Sequence, residues 1–168
     1  YRATLKDGKW TDVSELPFNS NDYNVAHPAL SPDDKTLYFA SNMPGTLGDA
    51  DIWKVAINAD GTFGTPTNLG STVNTEGRES FPFVTSENEL YYASTGKLGI
   101  GGMDVFVSKI TGNSYDEAIN VGKPINTPMD DFAFYFDPTT RTGFLSSNRE
   151  GGKGYDDIYK FTELKKLI

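Results

Sequence analysis

Residues 36–53 of the chain read TLYFASNMPGTLGDADIW: an apolar run, a loop, and a second apolar run that begins with aspartate. The same order returns at residues 89–106, ELYYASTGKLGIGGMDVF, and at residues 142–159, TGFLSSNREGGKGYDDIY. The offset is about 53 residues, a period typical of folds built from repeated supersecondary units. The chain therefore contains an internal repeat, and this repeat decides the fold.

Three sets of equivalent residues define the register of the repeat. Each copy has a serine at the end of the first apolar run, an aspartate at the start of the second, and an aromatic residue two places later: Ser41, Asp51 and Trp53; Ser94, Asp104 and Phe106; Ser147, Asp157 and Tyr159. Further out, Asn68-Leu69-Gly70 matches Asn120-Val121-Gly122, and Val73-Asn74-Thr75 matches Ile125-Asn126-Thr127. Trp10, Phe63 and Tyr115 are also equivalent.

Each unit has the pattern of four short strands, at positions that we label A to D. In the first full copy they are expected near residues 26–31, 36–40, 51–57 and 63–69, with turn signals between them. Because proline within a strand is typical of a sheet edge, Pro66 indicates that strand D is an edge strand. Four strands repeated at this period predict an all-β fold, and specifically the antiparallel blades of a β-propeller.

The repeats divide the chain into predicted segments. Residues 1–20 are interpreted as strands C and D of a preceding blade, 27–72 and 80–125 as two blades, 131–161 as a blade that lacks its outer strand, and 162–168 as a tail. About three repeats are too few to close a ring, because propellers have at least about four blades. We therefore expect a larger propeller, of six blades or so, or closure by association of copies.

Composition excludes several classes of function. Asp and Glu number 23 against 15 Lys and Arg, a net charge of −8 that disfavours nucleic-acid binding. The absence of cysteine excludes disulfides and zinc–thiolate sites. The single histidine, His27, excludes catalysis by a pair of histidines within one copy, and no apolar run is long enough to predict a membrane span.

The run from Pro28 to Asn42, PALSPDDKTLYFASN, resembles the TolB-type, WD-like propeller repeat. The run from Ser147 to Tyr159, SNREGGKGYDDIY, is similar to the form found in Bacteroidetes OmpA-family envelope proteins, including envelope anchors of type IX secretion and gliding. This resemblance implies a periplasmic, outer-membrane-associated module with a protein partner in the envelope. In that family, peptidoglycan binding belongs to a separate OmpA-like domain that these residues do not contain.

The repeated residues are interpreted as structural. Asp51, Asp104 and Asp157 are expected to accept hydrogen bonds from loop amides or from Ser41, Ser94 and Ser147. The alternative role is calcium binding, since carboxylates suit Ca²⁺. The copies do not keep a constant number of ligands, so we predict no metal and no cofactor. Trp53, Phe106 and Tyr159 are expected to pack between blades.

Binding is predicted on the D–A and B–C loops, where residue types vary over a constant framework. The candidates are His27, Arg78, Glu79, Asp130, Asp131, Arg149 and Tyr155. We predict a non-catalytic scaffold for protein–protein interaction in a bacterial envelope or secretion assembly. Two alternatives stay open: a carbohydrate-binding or glycan-processing propeller, and a TolB-like role in outer-membrane maintenance.

Overall fold

The computed structural model describes residues 1–166, and all the regular secondary structure in that part of the chain consists of β-strands. The all-β prediction is therefore confirmed. The strands are β1 (Arg2–Lys6), β2 (Lys9–Ser14), β3 (Val25–Leu30), β4 (Thr36–Ser41), β5 (Asp51–Ala56), β6 (Thr67–Asn68), β7 (Glu79–Val84), β8 (Glu89–Ser94), β9 (Asp104–Thr111), β10 (Ser114–Tyr115), β11 (Ile119–Asn120), β12 (Asp131–Asp137), β13 (Thr142–Ser147) and β14 (Asp157–Thr162).

The strands form a hairpin, β1–β2, and three larger antiparallel sheets, one for each repeat. The first sheet has the order β3-β4-β5-β6, the second has the order β7-β8-β9-β10 with β11 also paired to β9, and the third has the order β12-β13-β14. The pairing of their central strands has one register, because each repeated serine lies opposite the repeated aspartate. The sequence repeat is thus a repeat of strand pairing.

The outermost strands are shorter than the sequence predicts. Of the outer strand expected over residues 63–69, only Thr67–Asn68 forms a continuous ladder with β5. The interruption belongs to the repeat and is not due to Pro66 alone, because the second sheet has Ala118 at that position and its outer strand is also interrupted. In the second sheet, the short strands β10 and β11 share the edge of β9.

The first strand of each sheet contains a bulge at the same place. The pairing shifts between Ala26 and Ala29, between Ser80 and Phe83, and between Phe132 and Tyr135. One residue in each bulge has left-handed backbone geometry: His27 (φ 52°), Phe81 (φ 52°) and Ala133 (φ 50°). Bulges of this kind bend a strand and redirect its side chains.

The hydrophobic core lies in layers between the sheets. One cluster joins Tyr38 and Ile52 of the first sheet to Leu90 and Phe106 of the second. A second cluster joins Tyr91 and Val105 of the second sheet to residues of the third, including Phe134. The opposite face of the first sheet is covered by the segment that precedes it, through residues such as Phe18.

Within residues 1–166, no helix is long and apolar enough to cross a membrane. Most of the tail expected over residues 162–168 follows β14, and Lys166 forms an ion pair of 2.6 Å with Glu87. Residues 167 and 168, the end of that tail, lie outside the described residues.

Candidate functional site

The loops between strands B and C gather at one end of the molecule with the segments that lead into strand A. We call this end the loop face; its B–C loops are residues 42–50, 95–103 and 148–156. Each of these loops begins with a side chain that accepts a hydrogen bond from the backbone amide just before strand A. The pairs are Asn42 with Asn24 (2.7 Å), Thr95 with Arg78 (3.0 Å), and Asn148 with Asp130 (2.8 Å).

The repeated aspartates hold the B–C loops from within. One carboxylate oxygen accepts backbone amides of the same loop in every copy: from Leu47 to Asp51 (2.8 Å), from Ile100 and Gly101 to Asp104 (2.6 and 3.0 Å), and from Lys153 and Gly154 to Asp157 (2.7 and 3.0 Å). The repeated serines bond elsewhere, for example from Ser41 to the carbonyl oxygen of Asn24. Of the two expected sets of partners, the loop amides are therefore the ones used.

Two further carboxylates, both buried, fix the segments that lead into β7 and β12. Glu79 accepts hydrogen bonds from the amide and hydroxyl of Thr75, both at 2.7 Å, and from Ser94 at 2.6 Å. Asp131 accepts the equivalent hydrogen bonds from Thr127 and forms an ion pair of 2.6 Å with Arg149. Both carboxylates are fully buried. The two carboxylates therefore stabilise the loop face, but they are not accessible to a partner.

The loop assignment of three candidate residues is corrected by the structure. His27, Glu79 and Asp131 lie within strands β3, β7 and β12, which begin at Val25, Glu79 and Asp131, and not in the segments before these strands. Arg149 also contributes to the framework, because its guanidinium bonds the carbonyl oxygens of Pro124 and Ile125 and stacks on Tyr159 at 4.7 Å.

The other candidates differ in how far they reach solvent. Asp130 is half-buried, and its carboxylate accepts bonds from the amide of Met103 (2.9 Å) and from Asn148 (3.3 Å). Arg78 is exposed on the loop face, and Tyr155 is 85% exposed on the third B–C loop. Of the seven candidate residues, these two present the most accessible side chains.

His27 is the polar member of a row of rings across the inner strands. Its imidazole stacks on Phe81 with centroids 3.8 Å apart, and Phe81 lies 5.0 Å from Phe132. Burial lowers the pKa of His27, and the nearby Arg78 guanidinium lowers it further. The Nδ1 atom is buried without a partner among the described residues. A cavity of about 150 Å³ beside His27 and Arg78 is lined also by Asn42 and Asp49.

Exposed apolar side chains on the B–C loops were not identified from the sequence. Leu47 is 51% exposed and Leu98 is 97% exposed, and each lies on the same kind of loop as Tyr155. A large apolar residue inside a glycine-rich loop is the signal that could have found them, because such loops are otherwise polar.

The arrangement does not assemble a recognisable metal site. Among residues 1–166, no three His, Asp or Glu side chains lie close enough together to hold a metal ion. Each repeated aspartate begins a different strand, and its carboxylate accepts hydrogen bonds from backbone amides of the B–C loop before that strand.

No family model and no curated protein matches this sequence. Among solved structures, the chain is similar to a puromycin-hydrolyzing peptidase of Mycobacterium tuberculosis, with a TM-score of 0.55 and 17% sequence identity. The similarity covers 95% of this chain and 25% of the peptidase chain, so this chain spans about a quarter of that protein. At this identity the likeness concerns the fold alone.

Proposed function

We propose that the three sheets are consecutive blades of a β-propeller. Two observations support this arrangement. The sheets repeat the same strand order and register, and successive sheets pack face to face around shared apolar clusters. Radial repetition of four-stranded sheets is the way in which propellers protect their strand edges. In this arrangement the hairpin β1–β2 is the outer half of a preceding blade.

On this scaffold we propose a non-catalytic role in binding another protein through the loop face. The observation that carries the proposal is that every B–C loop exposes a large apolar side chain: Leu47 on the first, Leu98 and Ile100 on the second, and Tyr155 on the third. The repeated aspartates already hold the backbone of these loops, so ordering the loops on binding costs little. Exposed apolar groups on a rigid frame, with polar neighbours such as Arg78, match the composition of protein interfaces.

The partner and location rest on the resemblance described above. We propose an envelope protein as the partner, in the periplasm and associated with the outer membrane. A TolB-like role in outer-membrane maintenance would differ in capturing a peptidoglycan-associated lipoprotein. Peptidoglycan itself would be bound only through a domain outside these residues.

Site-specific photocrosslinking tests the loop face. A photoreactive phenylalanine analogue is placed at Leu98 or Tyr155, and at the exposed residue Asn113, between β9 and β10, as a matched control. We expect Leu98 and Tyr155 to crosslink to the same envelope protein and Asn113 to give no such product. Leu98→Asp should abolish the Tyr155 product. Equal crosslinking from Asn113 would place the interface elsewhere.

A carbohydrate ligand is the second candidate, and the exposure of the Tyr155 ring favours it. Exposed aromatic rings stack on sugar faces as they do on bases. A glycan array separates the two functions: binding that is lost in Tyr155→Ala and kept in Leu98→Asp would support carbohydrate recognition over a protein interface.

A further inference from the structure

Equivalent positions in the three sheets are buried to very different extents. Tyr38 and Tyr91 are 5% and 4% exposed, whereas the equivalent Phe144 of the third sheet is 42% exposed. Likewise Ile52 and Val105 are fully buried.

In the third sheet, Ile158 is the residue equivalent to Ile52 and Val105, and it is 76% exposed. The outward face of the third sheet thus keeps its apolar residues, and nothing in residues 1–166 covers them.

The same strand position has a distinctive partner in the first two sheets. The side-chain oxygen of Asn74 accepts the Ile52 amide at 2.8 Å, while its nitrogen donates to the Ile52 carbonyl oxygen at 3.0 Å. Asn126 does the same for Val105, at 2.8 and 2.9 Å. We call this contact the asparagine clamp. Within the described residues, Ile158 has no clamp and β14 pairs with β13 alone.

The segment that carries each clamp begins with an aromatic ring on the other face of its sheet. Phe63 packs edge-on against Phe18 at 5.7 Å, and Tyr115 lies beside Tyr38 with their hydroxyl oxygens 3.3 Å apart. Each ring fills the space between its own sheet and the previous one. Each segment therefore passes around the edge of strand C from one face of the sheet to the other.

The equivalent space between the second and third sheets is a groove. It has a volume of about 310 Å³ and a mainly apolar lining that includes Tyr91, Val121, Phe134, Phe136 and Phe161. Tyr91 and Val121 are the equivalents of Tyr38 and Leu69, which contact the cluster around Tyr115. The groove therefore corresponds to the place that Tyr115 fills one repeat earlier.

The two segments observed in this position share one pattern. Residues 63–75 read FGTPTNLGSTVNT and residues 115–127 read YDEAINVGKPINT. Both have an aromatic residue, then Asn-apolar-Gly five places later, then apolar-Asn-Thr at the end. The first asparagine of each pairs with the aromatic residue of strand C, Asn68 with Trp53 and Asn120 with Phe106.

We propose that the groove, the edge of β14 and the outward face of the third sheet form one docking site for a further segment of this pattern, supplied by a polypeptide outside these residues. Its aromatic ring would enter the groove, its first asparagine would pair with Tyr159, and its second would clamp the backbone of Ile158. Its two apolar residues would cover Phe144 and Ile158. This docking site is inferred from the equivalence of the three sheets alone and is independent of what the loop face binds.

A second copy of this chain fits the site less well. In each copy, both segments of this pattern already clamp their own strands. The first sheet's outer face is also covered, by Phe18 and its neighbours. The segment that begins at Trp10 is itself paired with β1 and packs Phe18 on the first sheet. Among its described residues, a folded copy therefore offers no unpaired segment of the required pattern.

A synthetic peptide with the sequence of residues 63–75 tests the proposal by NMR titration against the whole chain, up to millimolar peptide. We expect saturable shifts at Phe144, Ile158 and the groove. Ile158→Asp should weaken the affinity at least tenfold, and so should Asn→Asp at the clamp position of the peptide. Ile158 is exposed, so this variant should fold normally.

Leu98→Asp is the matched control, since Leu98 is exposed on the loop face. It should leave peptide binding unchanged and remove only the crosslinked partner proposed above, while Ile158→Asp should do the reverse. Absence of binding at millimolar peptide, or binding indifferent to Ile158→Asp, would overturn the proposal. Self-association that Ile158→Asp abolishes in sedimentation would overturn the stated occupant in favour of a second copy.

Discussion

At the scale of single residues, the side chains of Asn74 and Asn126 form the two hydrogen bonds that a neighbouring strand would otherwise form with Ile52 and Val105. A carboxamide places an acceptor and a donor at a spacing that matches the amide and carbonyl of one residue. Both side chains are almost fully buried, so the backbone groups that they satisfy have no water as an alternative. This explains why both repeats contain an asparagine at the same place.

Replacing Asn74 by Ala should lower the free energy of unfolding by about 2–4 kcal/mol, because it leaves the buried amide and carbonyl of Ile52 unpaired. Urea denaturation measures the change. Asn113→Ala, at an exposed position, should stay within about 0.5 kcal/mol of the parent. A similar loss in the two variants would show that the clamp contributes nothing specific.

His27 shows how burial and charge act on one titratable group. Stacking against Phe81 and the proximity of Arg78 both favour the neutral imidazole, so the pKa of His27 is lowered from 6.5. Because the folded pKa is the lower one, the neutral form stabilises the fold at high pH. That contribution declines as the pH falls through 6.5 and is lost below the folded pKa.

The chain has a single histidine, so one NMR titration gives the pKa of His27 directly. We expect a value below 6.5 in the parent and a higher value in Arg78→Gln, which removes the neighbouring positive charge but leaves the burial. An unchanged pKa in Arg78→Gln would assign the whole effect to desolvation.

At the scale of elements, the B–C loops are held by contacts to the following repeat. A Cβ atom on Gly48 would overlap the backbone of Glu76 and Gly77, and one on Gly101 would overlap the carbonyl oxygens of Thr127 and Met129. The equivalent Gly154 has only ordinary contacts within its own loop. These glycines differ because the third loop has no following repeat against it within residues 1–166.

Gly101→Ala should therefore destabilise the protein by about 1–3 kcal/mol, since the loop and the segment at Thr127 must move apart. Gly154→Ala, in the equivalent loop, should cost less than about 0.5 kcal/mol. Thermal unfolding of both variants measures the difference. Equal midpoints would contradict the close approach at Gly101.

The extent to which the sequence predicts these elements follows from the range of the interactions involved. Strand positions B and C and the roles of Asp51 and Asp104 depend on local patterns, and the structure places them where the pattern indicates. The length of the outer strand depends on which of its backbone groups reach β5 or β9, and the second outer strand is interrupted with Ala118 in place of Pro66. The sequence alone suggests that Glu79 is a surface residue, because its partner Ser94 lies in a different strand.

At the scale of the whole molecule, the same position of the repeat is buried in the first two sheets and partly exposed in the third. Tyr91 stacks on Phe134 at 4.5 Å between the second and third sheets, while the equivalent Phe144 faces outward. The difference arises from the neighbouring sheet and not from the residue. The contribution of an aromatic residue to stability therefore depends on whether a neighbouring sheet covers it.

Tyr91→Ala should cost about 3–5 kcal/mol, as expected for removal of a buried aromatic ring. Phe144→Ala should cost about 1 kcal/mol or less in the isolated chain, because the ring is partly solvated. Chemical denaturation of the two variants makes the comparison. Equal costs would show that Phe144 is already covered.

The sequence by itself determined the all-β class, the period of the repeat and the order of its strands, because alternation, turn residues and spacing are local properties of the chain. Only the tertiary structure decided which members of equivalent sets are buried, that Glu79 and Asp131 fix the segments before β7 and β12, and which apolar residues are exposed. Those outcomes depend on the neighbouring sheet and on partners that lie tens of residues away.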